Sequence, residues 1–104
     1  MRVGFVMQLN AGNEAEYRRR HDEIWPELSD LLKESGISDY YIFLHSETNQ
    51  LFATFVTTRE FNAERLKQHP LMRKWWRYMA PLMETVPDSV EPLVTDLTPV
   101  FFLE

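Results

Sequence analysis

Tyr17, His21 and Trp25 stand four residues apart within EYRRRHDEIWPEL, residues 16–28. On an α-helix that spacing sets three rings along one stripe, which drifts by only about 40° over its length. His21 is the member of the stripe whose ordinary pKa, about 6.5, permits both donation and acceptance of a proton near neutrality. Tyr17, one turn away, can orient a substrate hydroxyl. Together they spell general acid–base chemistry. The same spacing also fits a purely structural role, with three rings packed on a sheet and the imidazole bonded to a backbone carbonyl. Spacing leaves both readings open.

A second constellation is RKWWRYM, residues 73–79. Adjacent Trp75 and Trp76 project about 100° apart on a helix, so one anchors a core while the other borders a rim or pocket. An indole offers a flat apolar face and a single N–H donor, which suits a ligand with one hydrocarbon face and polar edges. A tryptophan pair also serves as core or interface. Tyr40 and Tyr41 open a strand and send their rings to opposite faces, so only one can look into a given pocket.

Other chemistries are struck out. Glycines 4, 12 and 36 are isolated, which leaves no phosphate-binding loop, and no G-x-S-x-G elbow occurs. With no cysteine there is no disulfide, thiolate nucleophile or thiolate metal site. His21, His45 and His69 lie 24 residues apart, a spacing that matches no metal-ligand motif, so no metal is expected.

The elements that must carry these residues follow from periodicity. Val3, Phe5, Met7 and Leu9 alternate as a first strand. Asn13 stands where it can cap a helix beginning at Glu14 and running through Leu32, with Pro26 kinking or breaking it near Trp25 and Gly36 ending it. Strands at Tyr40–His45 and Leu51–Thr57 are joined by the turn 46–50. Helical segments follow at Phe61–Gln68 and Leu71–Met83, divided at His69-Pro70. Pro87 and Pro92 mark an irregular crossing, and Val100–Leu103 reads as a final apolar strand.

Strand, helix, strand, strand, helix, strand is the α+β, ferredoxin-like order, with helices on one face of an antiparallel sheet. YYIFL, LFATFV and VFFL are bulky on both faces, and helices can cover only one. The uncovered face must find a partner sheet or enclose a pocket, and a homodimer, sheet against sheet, is the simplest resolution.

Length and charge agree. The 104 residues suit one domain, 1–104. Apolar residues make up 44% of the chain, too rich for disorder. The formal charge of −5 opposes a nucleic-acid or anionic-membrane surface. Glu14 and Glu16 stand four residues ahead of Arg18 and Arg20, so the arginine triplet reads as a self-compensated helix face. The opening MRVGFVMQLN is too short and too alternating for a signal peptide, and no segment reaches a membrane span. A cytoplasmic protein is expected.

Across nearly its whole length the chain resembles the L-rhamnose mutarotase family. The resemblance lies in FVMQLN (5–10), EYRRRHDEIWPEL (16–28), Gly36–Tyr40, LFATF (51–55), KWWRYM (74–79) and VFFL (100–103). It implies a dimeric α+β barrel that interconverts the α and β anomers of L-rhamnopyranose without a cofactor. It further implies His21 as proton donor, Tyr17 and Tyr40 as sugar contacts, and Trp75 and Trp76 as pocket walls. Two departures are His45, where some members carry an acidic residue, and Pro99 before the last strand. Mutarotation needs a proton delivered to the ring oxygen and one removed from the anomeric hydroxyl, with His21 the expected acid and a second group or water as base. Two rivals fit the same architecture: a small dimeric monooxygenase acting on an aromatic substrate, and a non-enzymatic dimeric ligand-binding module.

Overall fold

The computed structural model describes residues 1–104. In chain order its elements are β1 (Arg2–Gln8), α1 (Glu14–Asp22), α2 (Pro26–Glu34), β2 (Ile37–His45), β3 (Gln50–Thr57), α3 (Ala63–Gln68), α4 (Pro70–Met79) and β4 (Thr95–Asp96). A 3₁₀ turn at Ala80–Leu82 follows α4. The sheet is antiparallel, with strand order β2-β3-β1-β4. No helix is long and apolar enough to cross a membrane.

Alternation in β1 works as its sequence demands. Phe5 pairs with Ala53 and Met7 with Leu51, and these side chains share the face that meets the helices. Leu28, Tyr17, Met72, Trp75 and Met79 descend on them from α2, α1 and α4 to form the core. Leu28 is fully buried; enclosing such a side chain is worth about 1.5–3 kcal/mol. The opposite sheet face stays open, with Tyr41, Phe43 and Phe52 exposed.

Helix boundaries follow local chemistry. Pro26 does not merely kink the first helix; it divides it. Pro26 occupies the first turn of α2, where its missing N–H costs nothing, and Trp25 before it is held extended (φ −61°, ψ 129°). Asn13 takes the N-terminal boundary of α1, yet its side chain caps nothing; its amide donates to the carbonyls of Asn10 and Ala11. Gly36 closes α2 at φ +101°, with its N–H on the Lys33 carbonyl. His69 joins two helices: it ends α3, and its Nδ1 accepts the Leu71 N–H at the start of α4.

The expected last strand is not there. Val100–Leu103 has no regular structure and is 81–94% exposed, whereas the fourth strand is the pair Thr95–Asp96. Register gives the reason. Phe5 pairs with Asp96 and Val6 with Thr95, and Leu97 N–H still reaches the Gly4 carbonyl. Continued one for one, Val100 would stand opposite Met1, outside β1, which begins at Arg2.

Candidate active site

One broad cleft of about 1500 Å³ opens between the helices and the cavity-facing side of the sheet, and Tyr17, His21, Tyr40, Trp75 and Trp76 all line it. Sequence positions scattered over 60 residues are therefore brought to one surface. Three elements supply them: α1, α4 and β2.

Tyr17 and His21 come from α1. Tyr17 is buried, and its ring lies 4.5 Å from the imidazole at an interplanar angle of 32°. The His21 Nδ1 stands 3.1 Å from the Tyr17 carbonyl oxygen, one turn back. A carbonyl only accepts, so Nδ1 carries the hydrogen and Nε2 keeps a lone pair in the neutral ring. Burial lowers the pKa of His21 from 6.5, against the opposing pull of the Tyr17 carbonyl and the Asp22 charge. The neutral ring is the resting form at pH 7. The histidine is bonded to a backbone carbonyl, as a structural role requires, and it also borders the cleft.

Trp75 and Trp76 come from α4 and divide their labour. Trp75 is buried and meets His21 edge-on at 5.4 Å (89°) and Trp25 at 5.0 Å (87°). Trp76 is half-buried, with the Arg73 guanidinium 5.6 Å from its ring centre. Trp25 leaves the helical stripe at the Pro26 break and still closes on Trp75.

Tyr40, from β2, faces the cleft against Phe55 at 5.0 Å, while Tyr41 turns outward and stacks on Phe43. Tyr40 keeps 40% of its surface accessible, but its hydroxyl lies among protein atoms and burial pushes its pKa up to about 12. Burial also raises that of Tyr17, with the Tyr40 charge adding to it. Both phenols stay protonated at neutral pH and can donate hydrogen bonds. No three His, Asp or Glu side chains converge in a metal-binding group.

Sequence reasoning overlooked Arg20. The arginine triplet is only partly a solvated face. Arg19 bridges Glu16 and Glu23 at the surface, and the paired carboxylate of Glu16 falls to a pKa of about 2. Glu14 does not reach Arg18; it accepts from the Gly12 N–H instead. Arg20 is largely covered; it binds Glu16, donates to the Tyr78 carbonyl and lies 4.1 Å over the Tyr78 ring. That bond to Tyr78 is the only hydrogen bond from α1 to another helix or strand. Half of it was legible, in the i, i+4 pairing with Glu16; the other partner lies 58 residues away.

Comparison with known proteins points one way. The family model described as L-rhamnose mutarotase matches residues 2–103. A protein named L-rhamnose mutarotase from Rhizobium johnstonii is 54% identical over 99 residues, covering 95% of this chain and 92% of the relative. One of the same name from Flavobacterium johnsoniae is 49% identical over 104 residues, covering 100% and 96%. The crystal structure of L-rhamnose mutarotase from Formosa agariphila superposes with a TM-score of 0.91 at 40% identity, covering 100% of this chain and 99% of that one. Sequence, fold and a whole-length match agree: this chain belongs to the L-rhamnose mutarotase family.

Proposed function

We propose that the protein interconverts the α and β anomers of L-rhamnose at the His21 cleft. The observation that carries this reading is the pinned imidazole. With Nδ1–H held by the Tyr17 carbonyl, the neutral ring offers Nε2 as a base among aromatic walls. Ring opening moves one proton from the anomeric oxygen to the ring oxygen. Nε2 takes the proton from O1, and the resulting imidazolium donates it to the ring oxygen as the C1–O5 bond breaks. The open aldehyde forms and His21 returns to neutral. Rotation about C1–C2 and reversal of both transfers close the other anomer. His21 is thus the proton donor to the ring oxygen, recharged by its own first step. Proton transfers of this kind contribute about 10²–10⁴-fold.

Tyr17 and Tyr40 hold sugar hydroxyls with protonated phenols, Trp76 presents a face to the hydrocarbon side of the pyranose, and Trp75 completes the wall behind His21. No cofactor enters this cycle. Replacing His21 by alanine is expected to abolish the enzyme's contribution to anomer exchange measured by NMR saturation transfer with L-rhamnose, with the far-UV spectrum unchanged. Undiminished exchange would remove His21 from the reaction.

The strand order suits a ferredoxin-like plait, and the open sheet face suits a homodimer of the α+β-barrel kind. Tyr41, Phe43 and Phe52 on that face and Val100–Leu103 in the tail leave too much apolar surface for a lone chain in water. Sedimentation should give the mass of two chains, and removing residues 100–104 should shift it towards one. The acidic charge suits a cytoplasmic enzyme with no nucleic-acid or membrane partner.

A further inference from the structure

The geometry points to Asp39 as a positioning residue: the extra residue it inserts into β2 turns Tyr40, rather than Tyr41, into the cleft. This rests on the reading of Tyr40 as a sugar contact. Along β2 and β3 the pairs run Ile37 with Thr57 and Ser38 with Val56, then resume at Tyr41 with Thr54 and Ile42 with Ala53. Asp39 and Tyr40 together oppose Phe55, two residues against one, which is a β-bulge.

The bulge changes which residues face inward. Ile37 is buried and Ile42 packs on the core, so an odd and an even position share one face. Strict alternation forbids that, because side chains repeat every second residue. Continued from Ile37 without the insertion, the inward positions would be 39, 41 and 43. Tyr41 would enter the cleft and Tyr40 would leave it. The cost of the insertion is visible at Asp39, which sits at φ +51°, a left-handed region that aspartate tolerates better than most side chains. Arg2 of β1 holds it there from the far face of the sheet, donating to the Asp39 carboxylate and to Thr54 Oγ1 at 2.9 Å. One guanidinium thus ties three strands together behind the bulge.

Asp39 touches no substrate in this scheme; it acts through Tyr40. Asp39→Val places a branched side chain in the left-handed region. It is expected to raise KM for L-rhamnose, measured by polarimetry, by roughly two- to tenfold, the range set by one neutral hydrogen bond, with kcat altered less. Asp39→Gly reaches the same backbone region freely and should restore KM. Combined with Tyr40→Ala, Asp39→Val should raise KM no further than Tyr40→Ala alone, since nothing is left to position. Additive effects, or a normal KM in folded Asp39→Val, would overturn the proposal. Should Asp39→Val fail to fold, Asp39→Ala carries the same comparison. A wild-type protein that leaves L-rhamnose anomers unchanged would instead refute the functional reading. The placing of Tyr40 is then read without sugar, by loss of the Tyr40–Phe55 ring NOE in Asp39→Val and its retention in Asp39→Gly.

Discussion

Trp75 and Trp76 are neighbours in sequence with very different burdens, and replacing each by alanine measures the difference. Trp75 is 5% exposed and packs against three rings, His21 at 5.4 Å, Trp25 at 5.0 Å and Tyr78 at 5.7 Å. Truncating a large buried aromatic costs about 3–5 kcal/mol, and each aromatic pair adds about 0.5–1.5 kcal/mol beyond its buried area. Trp75→Ala belongs at the upper end of that range. Small domains have only about 5–15 kcal/mol in all. Trp76 is half-buried and meets Arg73 at 5.6 Å, so Trp76→Ala should cost no more than about 2 kcal/mol from partial burial and an exposed cation–π contact. Urea unfolding followed by circular dichroism at one protomer concentration reads both, as a midpoint shift at unchanged slope. Equal losses, or a greater loss for Trp76→Ala, would refute the division of anchor and rim.

The pH profile follows from His21. Its folded pKa is lowered by burial, so the unfolded chain takes up the proton first. The stability contributed by the neutral ring is complete above the unfolded value, about pH 6.5, and is lost as pH falls towards the folded one. The kcat/KM for anomer exchange should be flat at neutral pH and fall about tenfold per unit on the acid side; a bend above pH 6.5 would contradict a buried Nε2 base. Arg20→Met should lower stability by about 1–3 kcal/mol, for a charged hydrogen bond at a partly covered site, and should slow exchange by freeing α1 from Tyr78. Gly36→Ala should cost at least about 1 kcal/mol in thermal unfolding, because φ is +101° and the new methyl meets Thr58 Oγ1.

Much of the molecule is written locally. The four-residue spacing of Tyr17 and His21, the alternation of Val3 to Leu9, the break at Pro26 and the stop at Gly36 depend on neighbours within a turn or two, so sequence determined them. Sequence also required Trp75 and Trp76 to diverge, since adjacent helical side chains point about 100° apart. It did not say which one is buried; that depends on α4 packing over Met7 and Leu51, whose chain positions are remote. The choice between Tyr40 and Tyr41 was likewise beyond local pattern, because one inserted residue at Asp39 reverses the alternation. Val100–Leu103 has every mark of a strand, yet a strand needs a partner, and the β1 register ends before that segment begins. Periodicity is a property of the chain; pairing, register and burial belong to the distances between its parts, and those only the folded structure sets.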